Sequence, residues 1–255
     1  MAAFSGDKAR LAAEIAQSCR IMGKLGLTHA ALGHVSYRPE GADTVLIKGK
    51  GVDEAGLRYT SVDDILEIDF DAEKVGGPDG LQPPSESFIH LWLYKLHPEV
   101  RSVAHIHPVP AVLLTIGERE IVPIVGAFDI GAAQMAIEGV PTYPRSVTVA
   151  NDELGEGLAT FMGDHKVTMM RGHGISATGS SVADVTVRCV TANRLVSMMY
   201  QACLIGDPQP ILPEDQEIIS APLDPARPRG SAGGEVGMLA AYRYYRSLAD
   251  EEALA

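Results

Sequence analysis

The order of apolar and polar positions along the chain predicts alternating helices and strands, which is typical of an α/β fold. Residues 7–25 are rich in alanine and place Leu11, Ile15 and Met22 at roughly helical spacing, and Gly26 predicts the end of this helix. Short apolar or alternating runs predict strands at residues 34–38, 45–48, 65–70, 121–125 and 167–171, and in a run that ends at residue 107.

Longer apolar patterns predict further helices. They lie between residues 84 and 98 and at residues 109–116, 131–139, 149–161, 181–204 and 235–248. Residues 73–82 are predicted as a turn region, and the proline-rich residues 208–229 as irregular. Some strands are joined by short turns and others by helices, and no long polar linker interrupts the chain. We therefore predict one α/β domain over residues 1–255 with a mixed or antiparallel sheet.

The composition narrows the class of protein. The chain has 255 residues, 46% of them hydrophobic, and no apolar run of about 18 residues that would predict a membrane span. The first residues lack the basic-then-apolar order of a secretory signal, and three widely spaced cysteines favour reduced thiols in a cytoplasm. A net charge of −12 argues against nucleic acid as a partner, whereas an anionic small molecule can still bind a local basic cluster.

Two histidines stand close together in the stretch from Pro83 to Pro108. His105 and His107 are separated by one residue at the end of a predicted strand, so their side chains point to the same face. Neutral imidazoles on one rigid edge can bind Zn, Mn, Fe or Co. A hydrogen-bonded or solvent-facing pair would have the same spacing, so this pattern alone does not decide between the two.

A third histidine and a glutamate extend this pattern. His173 stands between Gly172 and Gly174, which by itself is more typical of a turn. Together with the first two histidines, it would complete a metal site with open positions for water or substrate. Glu86 lies in the first turn of the central helix, where the helix dipole stabilises a carboxylate. Beside a metal it can act as general acid and base. His90, one helical turn later, can be a partner of Glu86 or a satisfied core histidine, and the structural role is the more typical one.

Other polar residues carry a weaker signal. His34 adjoins a predicted strand start and can face the same site. Lys48, Lys50 and Arg171 can bind a substrate carboxylate, although each of them alone is more typical of a solvated charge.

Taken as a set, these motifs resemble the class II (metal-dependent) aldolase/adducin family. The resemblance rests on Ser85-Glu86 before a helix, on His105-Ile106-His107-Pro108, on the glycine-framed His173 before a long helix, and on Gly33-x-x-Ser36. It covers roughly residues 8–205, followed by a proline-rich segment and a helix over residues 206–255. It implies a three-layer α/β/α domain around a mixed, largely antiparallel sheet, and a homotetramer with sites near the subunit interfaces.

The resemblance also implies roles for individual residues. Glu86 matches the family's catalytic acid/base, and His105, His107 and His173 match its three ligands of a divalent metal. A tyrosine from the C-terminal region of the chain or of a neighbouring subunit often assists in this family. The candidates here are Tyr242, Tyr244 and Tyr245.

The sequence departs from the members that act on sugar phosphates. Their phosphate loops resemble Gly-Asn-x-Ser, Ser-Gly and Ser-Ser-Glu, whereas this chain has Gly33-His34-Val35-Ser36, Gly49-Lys50-Gly51 and Pro84-Ser85-Glu86. The changes remove neutral groups that hydrogen-bond phosphate and add His and Lys near the site, with Arg171 preceding Gly172-His173-Gly174. We therefore expect the substrate to contact His34, Ser36, Lys48, Lys50, Ser85 and Arg171.

Three functions follow from these observations. The first is a metal-dependent lyase that decarboxylates a hydroxylated aromatic or heteroaromatic acid through a metal-stabilised enolate or phenolate. The second is an aldolase or epimerase that acts on a sugar, a sugar phosphate or a hydroxy acid by retro-aldol cleavage. The third, an adducin-like interaction module without activity, would predict the loss of the histidines, and all of them are present.

Overall fold

The computed structural model describes residues 4–221 and 234–250, and a central sheet organises them. Its strands are β1 His34–Tyr37, β2 Thr44–Lys48, β3 Ile65–Asp69, β4 Lys74–Gly76, β5 Ser102–Ile106, β6 Thr142–Tyr143, β7 Val167–Met170 and β8 Gly174–Gly179. Within the described residues these strands form one sheet in the order β4-β3-β2-β1-β5-β8-β7-β6. Neighbouring strands are antiparallel except for the parallel pair of β6 and β7. The expected mixed, largely antiparallel sheet is confirmed.

Helices cover both faces of this sheet. They are α1 Gly6–Lys24, α2 Ser87–Leu96, α3 Val109–Ile116, α4 Ile130–Glu138, α5 Asp152–Met162, α6 Val182–Ile205, α7 Pro213–Ser220 and α8 Gly234–Asp250. α2 and α5 pack on one face, whereas α1, α3, α4 and α6 bury their apolar side chains on the other. The result is the three-layer α/β/α arrangement that the resemblance implied. No helix in the described part of the chain is long and apolar enough to cross a membrane.

Alternation along β5 decides which side chains meet which layer. Val103 belongs to the core under α2 and α5, whereas Ala104 and Ile106 belong to the core under α1 and α6. Because successive side chains of a strand point to opposite faces, His105 lies on the side of α2. Burial of one such aliphatic side chain stabilises the fold by roughly 1.5–3 kcal/mol, so a one-residue slip of β5 would be strongly disfavoured.

The predicted strand at residues 121–125 is wrong. The structure has no regular element there, although Ile121, Val122 and Ile124 pack against the core on the α1 side. Pro123 lies in the middle of this run and has no N–H group for a strand ladder. Its carbonyl oxygen instead accepts a single hydrogen bond from the Ile211 N–H (2.8 Å).

Three strands and one α-helix lie where the sequence predicted none. β4 falls in the predicted turn region, β6 has two residues, and β8 consists mostly of small residues whose alternation is hard to see. α7 falls within the segment predicted to be irregular, and the rest of that segment, from residue 222, lies outside the described residues. Pro213 in its first turn, followed by Glu214 and Asp215, was the available signal for α7.

The cysteines occupy two different environments. Cys19 in α1 and Cys189 in α6 are buried, whereas Cys203 near the end of α6 is half-buried. Burial raises the pKa of the Cys19 and Cys189 thiols from 9.0 to about 12, because a buried thiolate loses its hydration. Both groups therefore remain thiols in the folded protein at neutral pH.

We expect Ellman's reagent at about pH 8 to modify Cys203 quickly and to reach Cys19 and Cys189 only after unfolding. The raised pKa values also stabilise the folded state below pH 9, and this contribution is lost as the pH rises from about 9 to about 12. Thiol titration with and without denaturant, and urea unfolding midpoints across this pH range, measure both effects. Equal reactivity of all the cysteines in the native protein would contradict the described burial.

Candidate metal centre

The candidate site lies where one end of the sheet meets the start of α2. His34 is the first residue of β1 and pairs with His105 near the end of β5, and His105 in turn pairs with Ser176 in β8. His107 follows directly after β5, and His173 directly precedes β8. The antiparallel pairing of β1, β5 and β8 therefore brings distant parts of the sequence to one edge of the sheet.

Glu86 is placed by the break that begins α2. The Ser87 N–H and hydroxyl both donate to the Pro84 carbonyl oxygen, at 3.0 and 2.7 Å, and this turn fixes the entry into the helix. Glu86 is the N-cap residue, yet its side chain does not cap the helix and instead points to the sheet. Its Oε1 atom accepts a hydrogen bond from the Val149 N–H (3.0 Å), and the residue is buried.

Glu86, His105, His107 and His173 converge at this point. The Nε2 atom of His105 lies 2.7 Å from that of His107 and 3.3 Å from that of His173. Glu86 Oε2 lies 3.6 Å from His105 Nε2, and Glu86 Oε1 lies 3.4 Å from His173 Nε2. One ligand atom from each of the four residues lies within 4.8 Å of the others.

Two glycines allow His173 to reach this cluster. Gly172 has a φ of +60°, a left-handed conformation that residues with a side chain rarely adopt. A Cβ atom on Gly174 would overlap the Ile106 carbonyl oxygen and lie 2.8 Å from His107 Cδ2. The glycine that follows His173 therefore has a steric reason. β8 starts against the backbone of β5 and leaves no room for a side chain at Gly174.

The environment keeps His105 and His107 neutral and the glutamate ionised. Burial is the largest cause that lowers the pKa of His105 well below its ordinary value and that of His107 to about 4, and the neighbouring imidazoles add to both shifts. Burial opposes ionisation of Glu86, but the hydrogen bond from His173 and the nearby His105 lower its pKa to about 2. One carboxylate thus faces a cluster in which His105 and His107 are neutral imidazoles with a free electron pair.

This donor set fits a divalent metal ion. Neutral imidazole is the form that binds Zn, Mn, Fe or Co, and three such ligands leave coordination positions open. Without a cation, close Nε2 atoms can be satisfied only where one of each pair carries a proton. His105 also has a supporting contact, since its Nδ1 atom lies 3.2 Å from the Ser176 hydroxyl oxygen and its ring orientation is thereby fixed.

Some expected substrate contacts lie beside this cluster. The His34 ring centroid is 5.3 Å from that of His105, and Ser85 is an exposed residue next to Glu86. Lys50 pairs with Gln82 through two backbone hydrogen bonds of 2.9 and 2.7 Å. The Lys50 ammonium has no acidic partner among the described residues, and its charge adds to the burial that lowers the pKa of His107.

The structure does not bring Lys48 and Arg171 to the cluster. Lys48 lies on the α1 face of the sheet, whereas the His34 side chain lies on the other face, and Lys48 forms a buried ion pair with Glu54. The Arg171 guanidinium is 43% exposed and pairs with Glu118 (2.8 Å). Both cations therefore already have an acidic partner.

The C-terminal tyrosines lie on the other side of the sheet in this chain. Tyr242 and Tyr245 pack against the core under α1 and α6, and the Tyr245 hydroxyl oxygen lies 3.5 Å from Arg194 Nη1. Tyr244 is 59% exposed. Within the described chain, their contacts are with these helices and not with the histidine cluster.

Sequence reasoning missed several partners of the site residues. Ser36 lies in β1 beneath α2, where its hydroxyl contacts both His90 and Tyr94 at 2.6 and 2.7 Å. His90 was expected to be structural or a partner of Glu86, and it contacts His34 and Ser36 instead. The available signal was the spacing of Glu86, His90 and Tyr94, because residues four positions apart share one face of a helix. The Val149 N–H has no sequence signal, since any residue except proline supplies one.

Comparison with known proteins places the chain in a family. The Class II Aldolase and Adducin N-terminal domain matches residues 13–200, and the chain belongs to this family. It is 35% identical over 232 residues to a 3,4-dihydroxyphthalate decarboxylase from Terrabacter sp. (strain DBF63), covering 90% of this chain and 96% of that protein. It is 36% identical over 196 residues to a 3,4-dihydroxyphthalate decarboxylase from Rhodococcus jostii (strain RHA1), covering 75% and 80%.

A solved structure shows the same fold. The L-fuculose 1-phosphate aldolase from Glaciozyma antarctica PI12 superposes with a TM-score of 0.79, covering 98% of this chain and 93% of that chain. The two sequences are 16% identical, so this likeness concerns the fold alone.

We expect the purified protein to bind about one divalent metal ion per chain, as three histidine ligands predict. The double variant His105→Ala/His107→Ala should lose the ion because two of the three imidazoles are removed. Inductively coupled plasma mass spectrometry after dialysis measures the content directly. His165→Ala, which changes an exposed histidine outside the cluster, is the matched control and should keep the ion. Equal metal content in all three proteins would place the ion elsewhere.

Proposed function

We propose that the chain is a metal-dependent carbon–carbon lyase that decarboxylates a hydroxylated aromatic or heteroaromatic acid. The observation that carries this proposal is the convergence of ionised Glu86 with the three imidazoles of His105, His107 and His173 at one end of the sheet. The two decarboxylases described above, which each match three quarters or more of the chain, support the reaction type. Both relatives are named for a dicarboxylated ring with two hydroxyl groups, and we infer a substrate of that class.

The metal is proposed to be held by His105, His107 and His173. When bound there, a divalent ion supplies a Lewis acid that withdraws electron density from substrate oxygens. The protein contributes three uncharged ligands, so the positive charge of the ion is not neutralised by its ligands. A site of three imidazoles accepts Zn, Mn, Fe or Co.

Glu86 is proposed to move the proton. Its carboxylate first accepts the proton of a ring hydroxyl and then donates it to the ring carbon that carries the departing carboxylate. The carbon–carbon bond then breaks, CO₂ leaves, and the electron pair returns to the ring oxygen, which takes a proton from solvent. The Val149 N–H orients the carboxylate throughout, since it holds Oε1 at 3.0 Å.

Lys50 and His34 are proposed to orient the anionic substrate. Lys50 provides a cation next to the cluster, so it can hold a carboxylate while the ring lies over the histidines. Ser36 supports His34 through His90, and Ser85 is exposed beside Glu86, where it can contact the ring substituents. Lys48 and Arg171, paired with Glu54 and Glu118, would have to exchange partners before they could take part.

Retro-aldol cleavage is the second candidate function. It also leaves an electron pair on carbon, so the same Glu86 and the same histidines can serve it. The sequence matches above favour decarboxylation, and release of an aldehyde from a hydroxy acid would favour the aldolase. The adducin-like module without activity is disfavoured because the four residues of the cluster are present and in contact.

Assembly and location are proposed from the family resemblance. We infer a homotetramer in the cytoplasm, with sites close to subunit interfaces where Tyr242, Tyr244 or Tyr245 of a neighbouring subunit can assist. Exposed apolar side chains on α3, namely Val109 and Ile116, are consistent with a covered surface near the site. Light scattering that gives the mass of a single chain would contradict this assembly.

We expect the metal-loaded protein to release CO₂ from dihydroxyphthalates, and Glu86→Gln to reduce kcat by about 10²- to 10⁴-fold, as for loss of a general acid or base. The amide keeps the shape of the carboxylate but can no longer carry the proton. CO₂ release across a panel of dihydroxyphthalates, dihydroxybenzoates and sugar phosphates is the assay.

Glu99→Gln, which changes a carboxylate that is 63% exposed, is the control and should retain full activity. Metal content measured in parallel separates loss of the proton carrier from loss of the ion. Undiminished CO₂ release by metal-loaded Glu86→Gln would remove the proposed role of Glu86. Cleavage of a sugar phosphate with no CO₂ from any aromatic acid would instead support the aldolase.

A further inference from the structure

A buried chain of four polar side chains runs from α2 to the candidate site. The Tyr94 hydroxyl oxygen lies 2.7 Å from the Ser36 hydroxyl oxygen, which lies 2.6 Å from His90 Nδ1. His90 Nε2 lies 2.6 Å from His34 Nδ1, and the His34 ring centroid is 5.3 Å from that of His105. Tyr94, Ser36 and His90 are fully buried, whereas His34 keeps an exposed fraction of 3%.

The chain arises from two regular spacings. His34 and Ser36 are two residues apart in β1 and point to the same face, and His90 and Tyr94 are four residues apart on α2. The strand and the helix therefore face each other with two polar side chains each. Burial of a polar group costs free energy unless it is hydrogen-bonded, so this layer is stable only with every contact made.

The contact between the two imidazoles limits where their protons can be. His90 Nε2 and His34 Nδ1 lie 2.6 Å apart, so one of these nitrogens carries a proton and the other accepts it. Burial is the largest cause that lowers the pKa of His90 to about 3, and the charge of Glu86 opposes this shift only in part. A neutral imidazole has one N–H donor and one acceptor nitrogen, and the partner of one nitrogen decides the state of the other.

The hydrogen bonds along this row share one direction, because a group that accepts from one neighbour donates to the next. Tyr94 can donate to Ser36, at 2.7 Å, or to the Arg101 carbonyl oxygen, at 3.4 Å, and the shorter contact favours Ser36. With Tyr94 as the first donor, Ser36 donates to His90 Nδ1 and the Nε2–H of His90 donates to His34 Nδ1. His34 would then carry its own proton on Nε2, at the ring edge away from His90.

We propose that Tyr94, Ser36 and His90 are positioning residues that hold His34 as a neutral Nε2–H donor to an oxygen of the bound substrate. The inference rests on the proposed function and deepens it. The donor would stabilise negative charge that develops on a ring oxygen when the carbon–carbon bond breaks. Related sugar-phosphate enzymes have a neutral Asn in the phosphate loop where this chain has His34. In this chain the position would instead stabilise charge on a planar ring.

The tautomer is the first measurement, and it does not depend on activity. Solid-state ¹⁵N NMR of metal-loaded protein labelled at histidine distinguishes protonated from bare ring nitrogens. We expect His34 to carry its proton on Nε2, with its signals assigned from a His34→Asn sample. Tyr94→Phe should shift the population toward the Nδ1–H form because the first donor of the chain is lost. A His34 with its proton on Nδ1 in the unmodified protein overturns the proposal.

Kinetics provide the second measurement. A residue that hydrogen-bonds to an active-site group typically contributes 10- to 100-fold to activity. We therefore expect Tyr94→Phe and His90→Leu to reduce kcat by about that factor. KM should change little, because the donor acts mainly on charge that develops in the transition state. His90→Gln keeps an N–H that can donate to His34, and it should recover much of the loss. Where His90→Leu does not fold, Tyr94→Phe carries the test because it preserves the ring.

The matched control is Tyr143→Phe. Tyr143 is a buried tyrosine on the same side of the sheet. It packs against Phe161 and is not part of the hydrogen-bonded row that leads to His34. Its variant loses one buried hydroxyl without changing the His34 donor, so kcat should remain unchanged. Equal kcat in the two Tyr→Phe variants, each with full metal content, overturns the inference and leaves the proposed function intact. Absence of CO₂ release by the unmodified protein is instead a failure of the proposed function.

Discussion

The register between β5 and β8 is the constraint on which the candidate site depends. Pairing of Ile106 with Ile175 sets the end of one strand against the start of the other, and the two histidines that follow or precede these ends meet there. A shift by one residue would turn His105 into the opposite layer and separate His107 from His173. The apolar side chains of both cores hold this register, so the geometry of the site is maintained by packing that lies outside it.

Charge is arranged locally against the net sign of the chain. The protein carries a net charge of −12, yet Lys50 places a cation beside the histidine cluster, and no acidic partner for it lies among the described residues. Two other cations that the sequence offered, Lys48 and Arg171, are held by Glu54 and Glu118. Binding of an anionic substrate, as proposed, would therefore depend on a few placed groups and not on a broad basic surface.

The sequence predicted those helices in which apolar positions repeat over many residues. It predicted the candidate site from several family motifs taken together. α1 and α6 were predicted within two residues at each end, because their apolar positions recur over several turns. β8 was missed because its buried side chains are small, and its place in the middle of the sheet follows from pairing with β5 and β7. The convergence of Glu86 with the histidines was expected from family motifs, whereas the partners of His34 depend on how a helix and a strand face each other.

Glu86, His90 and Tyr94 occupy successive turns along one face of α2, over roughly 12 Å at 1.5 Å per residue. The carboxylate that faces the histidines and the side chains that contact His34 and Ser36 are therefore carried by one helix and its N-cap. The outer side of that helix is fixed to α5, where the Trp92 Nε1–H donates to Asp152 (2.7 Å) and Gly155 leaves room for the indole ring. A change in this surface contact would alter the orientation of α2. It would therefore shift Glu86, His90 and Tyr94 together, although none of them lies at the surface contact itself.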